Sequence, residues 1–443
     1  MTQSPPSRTA IVGAGFSGLL TALHLLDAPT GMQVTLIERR AAFGPGRAYD
    51  TGNPHHLLNV RLGNMSAYPN DPDHLVRWLS EQPSWEASGA FITRGAYGDY
   101  LKSLLDEALS THGDRLTLIQ GDVVDLERAG DEWRLTLWTG ETVTADTVVL
   151  ALGNQEPQTP GNLGEGVRAS GRYVTDPWSA DLSDRADVQS VLLMGSGLTM
   201  VDVAVALRRP GRRLTAISRH GLLPRAHASV HTPAADITFS GPPSAVMAQA
   251  REAARRTDWR AVFDALRAQA RGLWADWSQA QRRRFIRHLR PLWDVHRHRL
   301  APSMAREISH MLAGGELTVA AGKIADLSLK QGRIRATWRP RGKSTPTSES
   351  FDLVVNCTGP IGEVRHSRDP LICRLLERRL VTPDPLGLGF AVDVRGRALG
   401  PDGAPHPGLV VVGPLSRGAF WEMTSVPDLR VQARDTAHDI RRG

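Results

Sequence analysis

The stretch IVGAGFSGLLTALHL (11–25) decides the fold, and VLLMGSGLTMVDVAVALRR (191–209) repeats its logic in mid-chain. In the first, an apolar strand runs into GAGFSG and then into a helix-like run. Gly13 permits the tight turn, Gly15 lets a pyrophosphate approach the backbone, and Gly18 lets helix and strand pack closely. A phosphate then sits at the helix start, with Ser17 in its first turn, where unpaired N–H groups and the dipole favour negative charge. The next strand, QVTLIE, ends in Glu38, 20 residues beyond Gly18. A carboxylate there accepts from ribose hydroxyls and repels a 2′-phosphate, so the unit predicts FAD or NAD rather than NADP.

The second unit differs in two places. Gly195 and Gly197 occupy the first two fingerprint positions, Thr199 follows, and Met200 stands where the third glycine would be. The following strand, RLTAISRHG, ends in Ser218-Arg219-His220 with no acid. Arg219 pairs with the 2′-phosphate of NADPH, stacks on the adenine of NADH, or faces solvent, and the residues leave NADH and NADPH open. Different strand ends predict different nucleotides, FAD first and a nicotinamide reductant second.

The expected architecture is α/β, with two Rossmann-like dinucleotide-binding domains and a helical insert. Residues 1–155 form the first part of an FAD domain, 160–345 a nicotinamide domain, and 346–443 the rest of the FAD domain. Within the middle piece, from about 243 to 313, apolar residues recur at helical spacing, as in VFDALRAQARGLWADW. A chain of 443 residues with 41% hydrophobic residues is long enough for such cores. No stretch approaches the roughly 18 apolar residues of a membrane span, and MTQSPPSRTA lacks a signal-peptide core, so a cytoplasmic protein is expected.

Of 53 basic residues 49 are Arg, and 251–299 holds 13 Arg against five acids. Solvated helix faces explain that excess more simply than nucleic acid. Only Cys357 and Cys373 are present, which argues against disulfide scaffolds, structural zinc and a redox-active Cys-x-x-Cys pair. No histidine group has the spacing of a metal site.

Several segments carry a resemblance to known flavoproteins. ADTVVLALGNQEP (145–157), reaching Gly153, and FDLVVNCTGP (351–360), with Gly359, resemble the crossing segments that return to the first nucleotide domain. GLVVVGPLSRGAFWEMTSVPDLRVQA (408–433) is similar to a final strand, a loop over the flavin at Gly413, and a helix opening near Pro427 toward the isoalloxazine pyrimidine edge. The acid usually found after that glycine is absent, Pro414 standing there, so ribityl contacts must come from elsewhere. Arg39, Asn59 and Val124 are further candidate FAD contacts.

Taken with FGPGRAYDT, HHLLNV, MSAYPNDP, ISRHGLLPRAH and LGLGFAVD, the pattern resembles the family containing FAD-dependent urate hydroxylase and flavin-dependent L-aspartate N-monooxygenase. The resemblance implies a monooxygenase using FAD, NADH or NADPH, and O2 through a flavin C4a-hydroperoxide. The chain's length favours urate hydroxylation to 5-hydroxyisourate. The alternatives are an amino-acid N-hydroxylase or an electron-transfer reductase. Asn64, in NMSAYP, resembles the Asn that positions the oxygen adduct; read from its residues alone, it caps a turn. For an anionic substrate Arg225, His227, His296 and Arg297 are candidates, against the plainer reading of phosphate contacts or surface charge.

Overall fold

The computed structural model describes residues 7–27, 31–53, 56–83, 90–178, 180, 182, 185–230, 232–360 and 363–442. The first six residues, read above for a leader, lie outside that set. Two compact units emerge: Met1–Pro54, Val60–Gln155 and Gly362–Gly443 form one, and His55–Asn59 with Glu156–Ile361 form the other.

The first unit is built on a six-stranded sheet in the order Arg397–Leu399, Pro405–Val411, Thr147–Leu150, Arg8–Val12, Gln33–Glu38, Leu116–Gln120. Every pairing is parallel except that of the edge strand Arg397–Leu399. Parallel strands covered on both faces need apolar residues on both, which is why these segments read as apolar runs rather than alternations. Helix Phe16–Leu26 is buried at every position but Ser17. One side meets the sheet, and another meets helix Val426–Arg442, which turns Val426, Leu429, Ala433 and Ala437 inward at helical spacing. Strands Val123–Ala129, Glu132–Leu137 and Thr142–Ala145 form a separate antiparallel sheet.

The second unit carries Thr347–Phe351, Arg333–Pro340, Leu317–Lys330, Arg213–Ser218, Ser190–Met194, Leu353–Asn356 and Tyr173–Val174 in that spatial order, with Asn162–Leu163 beside Leu317–Lys330. Leu192, Met194, Ile217, Leu327, Phe351 and Val354 share its core. Helices from Pro243 to Ala313 occupy the connection between Arg213–Ser218 and Leu317–Lys330. They start where side chains cap them: Asp258 accepts the Arg260 N–H, and Ser278 with Gln281 forms a capping box. Residues Phe285–Leu289 widen into a π turn just before Pro291, whose ring excludes the ordinary backbone bond there.

Two boundaries depart from the sequence reading. The strand Leu353–Asn356 pairs in parallel with Ser190–Met194, so the piece starting at 346 belongs to the second unit as far as Ile361. An apolar strand shows that it is buried but not which sheet it completes. Residues His55–Asn59, placed in the first unit by sequence, also group with the second.

The two glycine turns are built alike. Gly13 has φ +100°, and a Cβ on it would lie 2.4 Å from the Ala151 carbonyl oxygen; Gly195 has φ +116°, and its Cβ would lie 2.5 Å from the Cys357 carbonyl oxygen. Their N–H groups donate to Ile37 O and Ile217 O, each at 2.8 Å. The carbonyl neighbours are fixed in turn, Ala151 N donating to Val12 O and Cys357 N to Met194 O, each at 2.9 Å. The third fingerprint position differs. A Cβ at Gly18 would fall 1.9 Å from Gly13 O, whereas Met200 is fully buried, so helix Leu198–Leu207 stands off enough to seat a side chain.

Gly18→Ala is therefore expected to cost about 3 kcal/mol or more, because backbone rather than a movable side chain blocks the methyl. Gly197→Ala, where nothing lies within 4 Å, should cost under about 1 kcal/mol. Chemical denaturation of both variants checks this, and equal losses would contradict the steric reading.

Candidate functional site

In the first unit, helix Phe16–Leu26 begins at Gly15 without any side-chain cap or first-turn acid. Helix Leu198–Leu207 in the second begins in the same way at Gly197. Helices starting at Thr93, Asp258, Ser278 and Asp369 have side-chain caps, whereas those starting at Asp73, Pro242 and Ala301 also lack one. The starts of the two glycine-turn helices thus keep N–H groups for an external acceptor, as a phosphate-binding turn requires. Gly46 covers the first turn: a Cβ on it would lie 2.8 Å from Gly15 Cα, so the chain runs backbone to backbone there.

Glu38 is buried and held at this turn, its Oε2 accepting from Ala14 N at 2.9 Å and its Oε1 from Arg40 N at 3.1 Å. Each oxygen keeps acceptor capacity for a ribose hydroxyl. Arg39 is engaged differently from the expectation. Its guanidinium pairs with Asp369 at 2.7 Å and Asp122 at 3.2 Å. Val124 is half-buried in strand Val123–Ala129.

The last loop also reaches the first helix. A Cβ at Gly413 would lie 3.1 Å from Ser17 Oγ. The Gly413 N–H donates to Gln432 Oε1 at 2.8 Å, Gln432 Nε2 donates to Ser416 Oγ at 2.9 Å, and Ser416 Oγ donates to Gly413 O at 2.8 Å. Gln432 thus orders a loop that lacks the usual acid, a role sequence reasoning missed. Its position on the buried face of helix Val426–Arg442, which Pro427 opens, was the available signal. Glu422, buried in the same loop, holds φ +76°, a backbone region that strains any residue but glycine.

Asn64 ends an exposed turn, Leu62–Asn64, mounted on buried tyrosines. Tyr97 donates to Met65 O at 2.9 Å, Tyr100 accepts from Ala67 N at 3.3 Å, and Arg430 donates to Ser66 O at 2.8 Å. Burial pushes the Tyr100 phenol up to about 12, so it remains protonated throughout the working range.

At the end of strand Arg213–Ser218, the Ser196 hydroxyl donates to Leu222 O at 2.6 Å and lies 2.7 Å from Ser218 Oγ, fixing the corner. Arg219 is exposed there. His220 Nδ1 lies 3.1 Å from Arg341 Nη1, and burial, with Arg341 and Arg219 nearby, lowers the His220 pKa. Three basic side chains therefore meet at one strand end. Arg341 comes from more than 100 positions away, and no local pattern announces it. In the crossing segments, Thr358, beside Gly359, donates its hydroxyl to Asn356 Oδ1 at 2.7 Å, with Gln158 O 3.2 Å away. Gly153 and Gly359 both have positive φ and open space at the Cβ position.

The four substrate candidates lie on two adjoining segments of the second unit. Arg225 N donates to Val295 O at 2.9 Å, and His227 N to Leu300 O at 2.9 Å, which seats 225–227 beside the segment carrying His296 and Arg297. His227 Nε2 meets Asn59 O at 2.9 Å, so the Asn59 carbonyl is engaged here. His296 packs edge-on to Trp259 and stacks on Phe263, with Nδ1 2.7 Å from Leu292 O. Arg297 is buried and Arg225 exposed. Arg299, outside the candidate set, pairs with Asp264 at 2.8 Å and lies over Trp259 and Phe263.

Among the described residues no group of His, Cys, Asp and Glu could hold a metal, and no helix is long and apolar enough to cross a membrane. Cys357 is buried, and burial raises its thiol pKa well above the usual range; Cys373 donates to Ser367 O at 3.5 Å. Neither forms a disulfide.

Known proteins share part of this sequence and its fold. Residues 10–155 match the family described as FAD-NAD(P)-binding. Senecionine N-oxygenase of Tyria jacobaeae is 27% identical over 215 residues, 46% of this chain and 45% of its own length. The chain spans less than half the length of the curated relatives it matches. The ornithine N-hydroxylase of Kutzneria sp. 744, whose structure is described with reduced FAD, NADP+ and L-ornithine, superposes with TM-score 0.68 over 99% of both chains at 16% identity. The cadaverine monooxygenase of Erwinia amylovora, bound to FAD, gives TM-score 0.68 over 99% of this chain and 95% of its own at 13% identity. The fold is that of the two-dinucleotide-binding-domain flavoproteins.

Burial, assisted by Arg225 and Arg299, holds the His296 pKa below 6.5. The neutral ring is thus favoured in the folded state, and its contribution is complete above the unfolded value near 6.5. That contribution declines as pH falls from there toward the folded pKa. Unfolding midpoints measured from pH 7 to pH 5 should fall less in His296→Leu than in the parent, and parallel slopes would remove the assignment.

Proposed function

We propose that the chain is an FAD-dependent, NADPH-consuming monooxygenase that transfers one oxygen atom from O2 to an amine nitrogen of a small molecule. The observation that carries this reading is the pair of uncapped glycine-turn helices with opposite strand ends, Glu38 on one and Arg219 with His220 and Arg341 on the other. When bound, FAD accepts hydride from the reduced nicotinamide and activates O2 toward an electron-rich acceptor.

The protein's own contribution is recognition and exclusion. The helix start at Gly15 receives the FAD pyrophosphate, while Glu38 accepts from the adenosine ribose. Gly195 and Gly197 admit the nicotinamide pyrophosphate, with Thr199 in the helix's first turn. Arg219 and Arg341 take the 2′-phosphate, which their charge favours over the free hydroxyl of NADH. Asn64, rigidly mounted, orients the reacting groups by its side-chain amide. Arg225, His227 and Arg297 supply charge for a substrate carboxylate, and His296 holds the aromatic packing that supports them.

Nitrogen as the acceptor is supported by the N-oxygenase and N-hydroxylase likenesses, and neither of these supports urate. The absence of a cysteine pair argues against a disulfide reductase. The test is NADPH oxidation under 18O2 with L-ornithine, L-aspartate, cadaverine and urate, reading products by mass. Label in a hydroxylamine or nitroso product is expected. Label in 5-hydroxyisourate alone would reinstate urate, and rapid dye reduction without label in any product would favour an electron-transfer reductase.

Two mutational outcomes follow from the same geometry. Arg219→Ala and Arg341→Ala should each raise the NADPH KM about tenfold, the factor that loss of roughly 1.4 kcal/mol of charge-assisted bonding gives. The NADH KM should change little, and equal changes for both nucleotides would detach these arginines from the 2′-phosphate. Asn64→Ala should keep NADPH oxidation but divert oxygen to hydrogen peroxide, measured as a lower ratio of product to NADPH.

A further inference from the structure

The far end of helix Phe16–Leu26 borders a cavity of about 490 Å³ in the first unit. At about 1.5 Å rise per residue, Asp27 lies roughly 18 Å along the axis from Gly15, so this space is remote from the phosphate-binding turn. One wall is the last stretch of helix Val426–Arg442, contributing Arg434, His438 and Arg441; the other contributes His24, Asp27 and Tyr68. From these features we infer a second ligand site, one that binds a small zwitterion of the α-amino-acid class. The inference does not depend on the reaction proposed above.

Charge decides the ligand class. Arg434 bonds to Asp435 at 2.8 and 3.0 Å and reaches Asn70 Oδ1 at 3.4 Å, so those two charges offset each other. Arg441 holds a longer 3.3 Å bond to the His24 carbonyl, and His438, one turn earlier on the same face, is exposed. Across from them Asp27 keeps an open carboxylate, its side chain 59% exposed and 3.7 Å from His24 Nδ1. The opposing formal charges are thus held on separate walls. A simple anion attracted to Arg441 would meet Asp27, and a simple cation drawn to Asp27 would meet Arg441.

A zwitterion satisfies both walls at once, its carboxylate on Arg441 and His438 and its ammonium on Asp27. His24 lines the same space, with its Nδ1 on the Asp27 side. Tyr68 stands edge-on to the imidazole with ring centroids 6.0 Å apart, and Pro69 lies beside it. Together they give the ligand's side chain an apolar surface.

The experiment is calorimetric titration of the FAD-loaded full-length protein with L-phenylalanine, phenethylamine and 3-phenylpropionate. L-Phenylalanine should bind at one site per chain, and each single-charge analogue at least tenfold more weakly. Arg441→Gln and Asp27→Asn should each weaken L-phenylalanine at least tenfold while FAD content and NADPH KM stay unchanged. Should one variant lose its FAD or fail to fold, the other decides alone. Absence of saturable binding, equal binding of the three probes, binding that survives both substitutions, or NADPH-dependent consumption of L-phenylalanine would each overturn the proposal.

Discussion

The architecture depends on a close approach made twice: the carbonyl of a parallel strand's last turn pressed against a glycine that has no Cβ. Ala151 O fills that space beside Gly13, and Cys357 O beside Gly195. With positive φ at the glycine, the chain leaves the strand sharply and enters a helix whose first N–H groups remain uncapped. Steric exclusion thus creates an electrostatic feature. A side chain at either position would move the turn and with it the uncapped helix start that follows.

Similarly built turns acquire different chemistry from what stands at the ends of the neighbouring strands. Glu38 is fixed by two backbone donors and presents an acceptor. Ser218, Arg219 and His220, joined by Arg341, present donors and positive charge. Nucleotide selection on this reading is a matter of sign at one position per unit, superimposed on a shared backbone device.

What was legible in the sequence is what local physics controls. GAGFSG and GSGLTM encode backbone geometry, so the two units and the helical run from 243 could be read directly from spacing. Where structure departed from expectation, the cause was nonlocal. Leu353–Asn356 reads as a buried strand from its four apolar or neutral residues, yet only pairing with Ser190–Met194 assigns its sheet. Arg341, Gln432 and Asp369 were missed because each acquires its role from a distant partner: His220, Gly413 and Arg39 respectively. Met200, standing where the third fingerprint glycine would be, is a buried packing residue beside an uncapped helix start.

The helical insert shows the same division between scaffold and contact. His296 is attractive as a base by residue type, but Trp259 and Phe263 enclose its ring and Leu292 O engages Nδ1. A histidine so enclosed is costly to protonate, which suits a spacer better than a proton carrier. Arg299 reinforces this, pairing with Asp264 while covering the same two aromatic rings. Because one arginine joins the aromatic stack, the ion pair and the His296 carbonyl, the segment seating Arg225 and His227 is held from several directions. The exposed Arg225 beside this insert is thereby carried on a well-fixed segment.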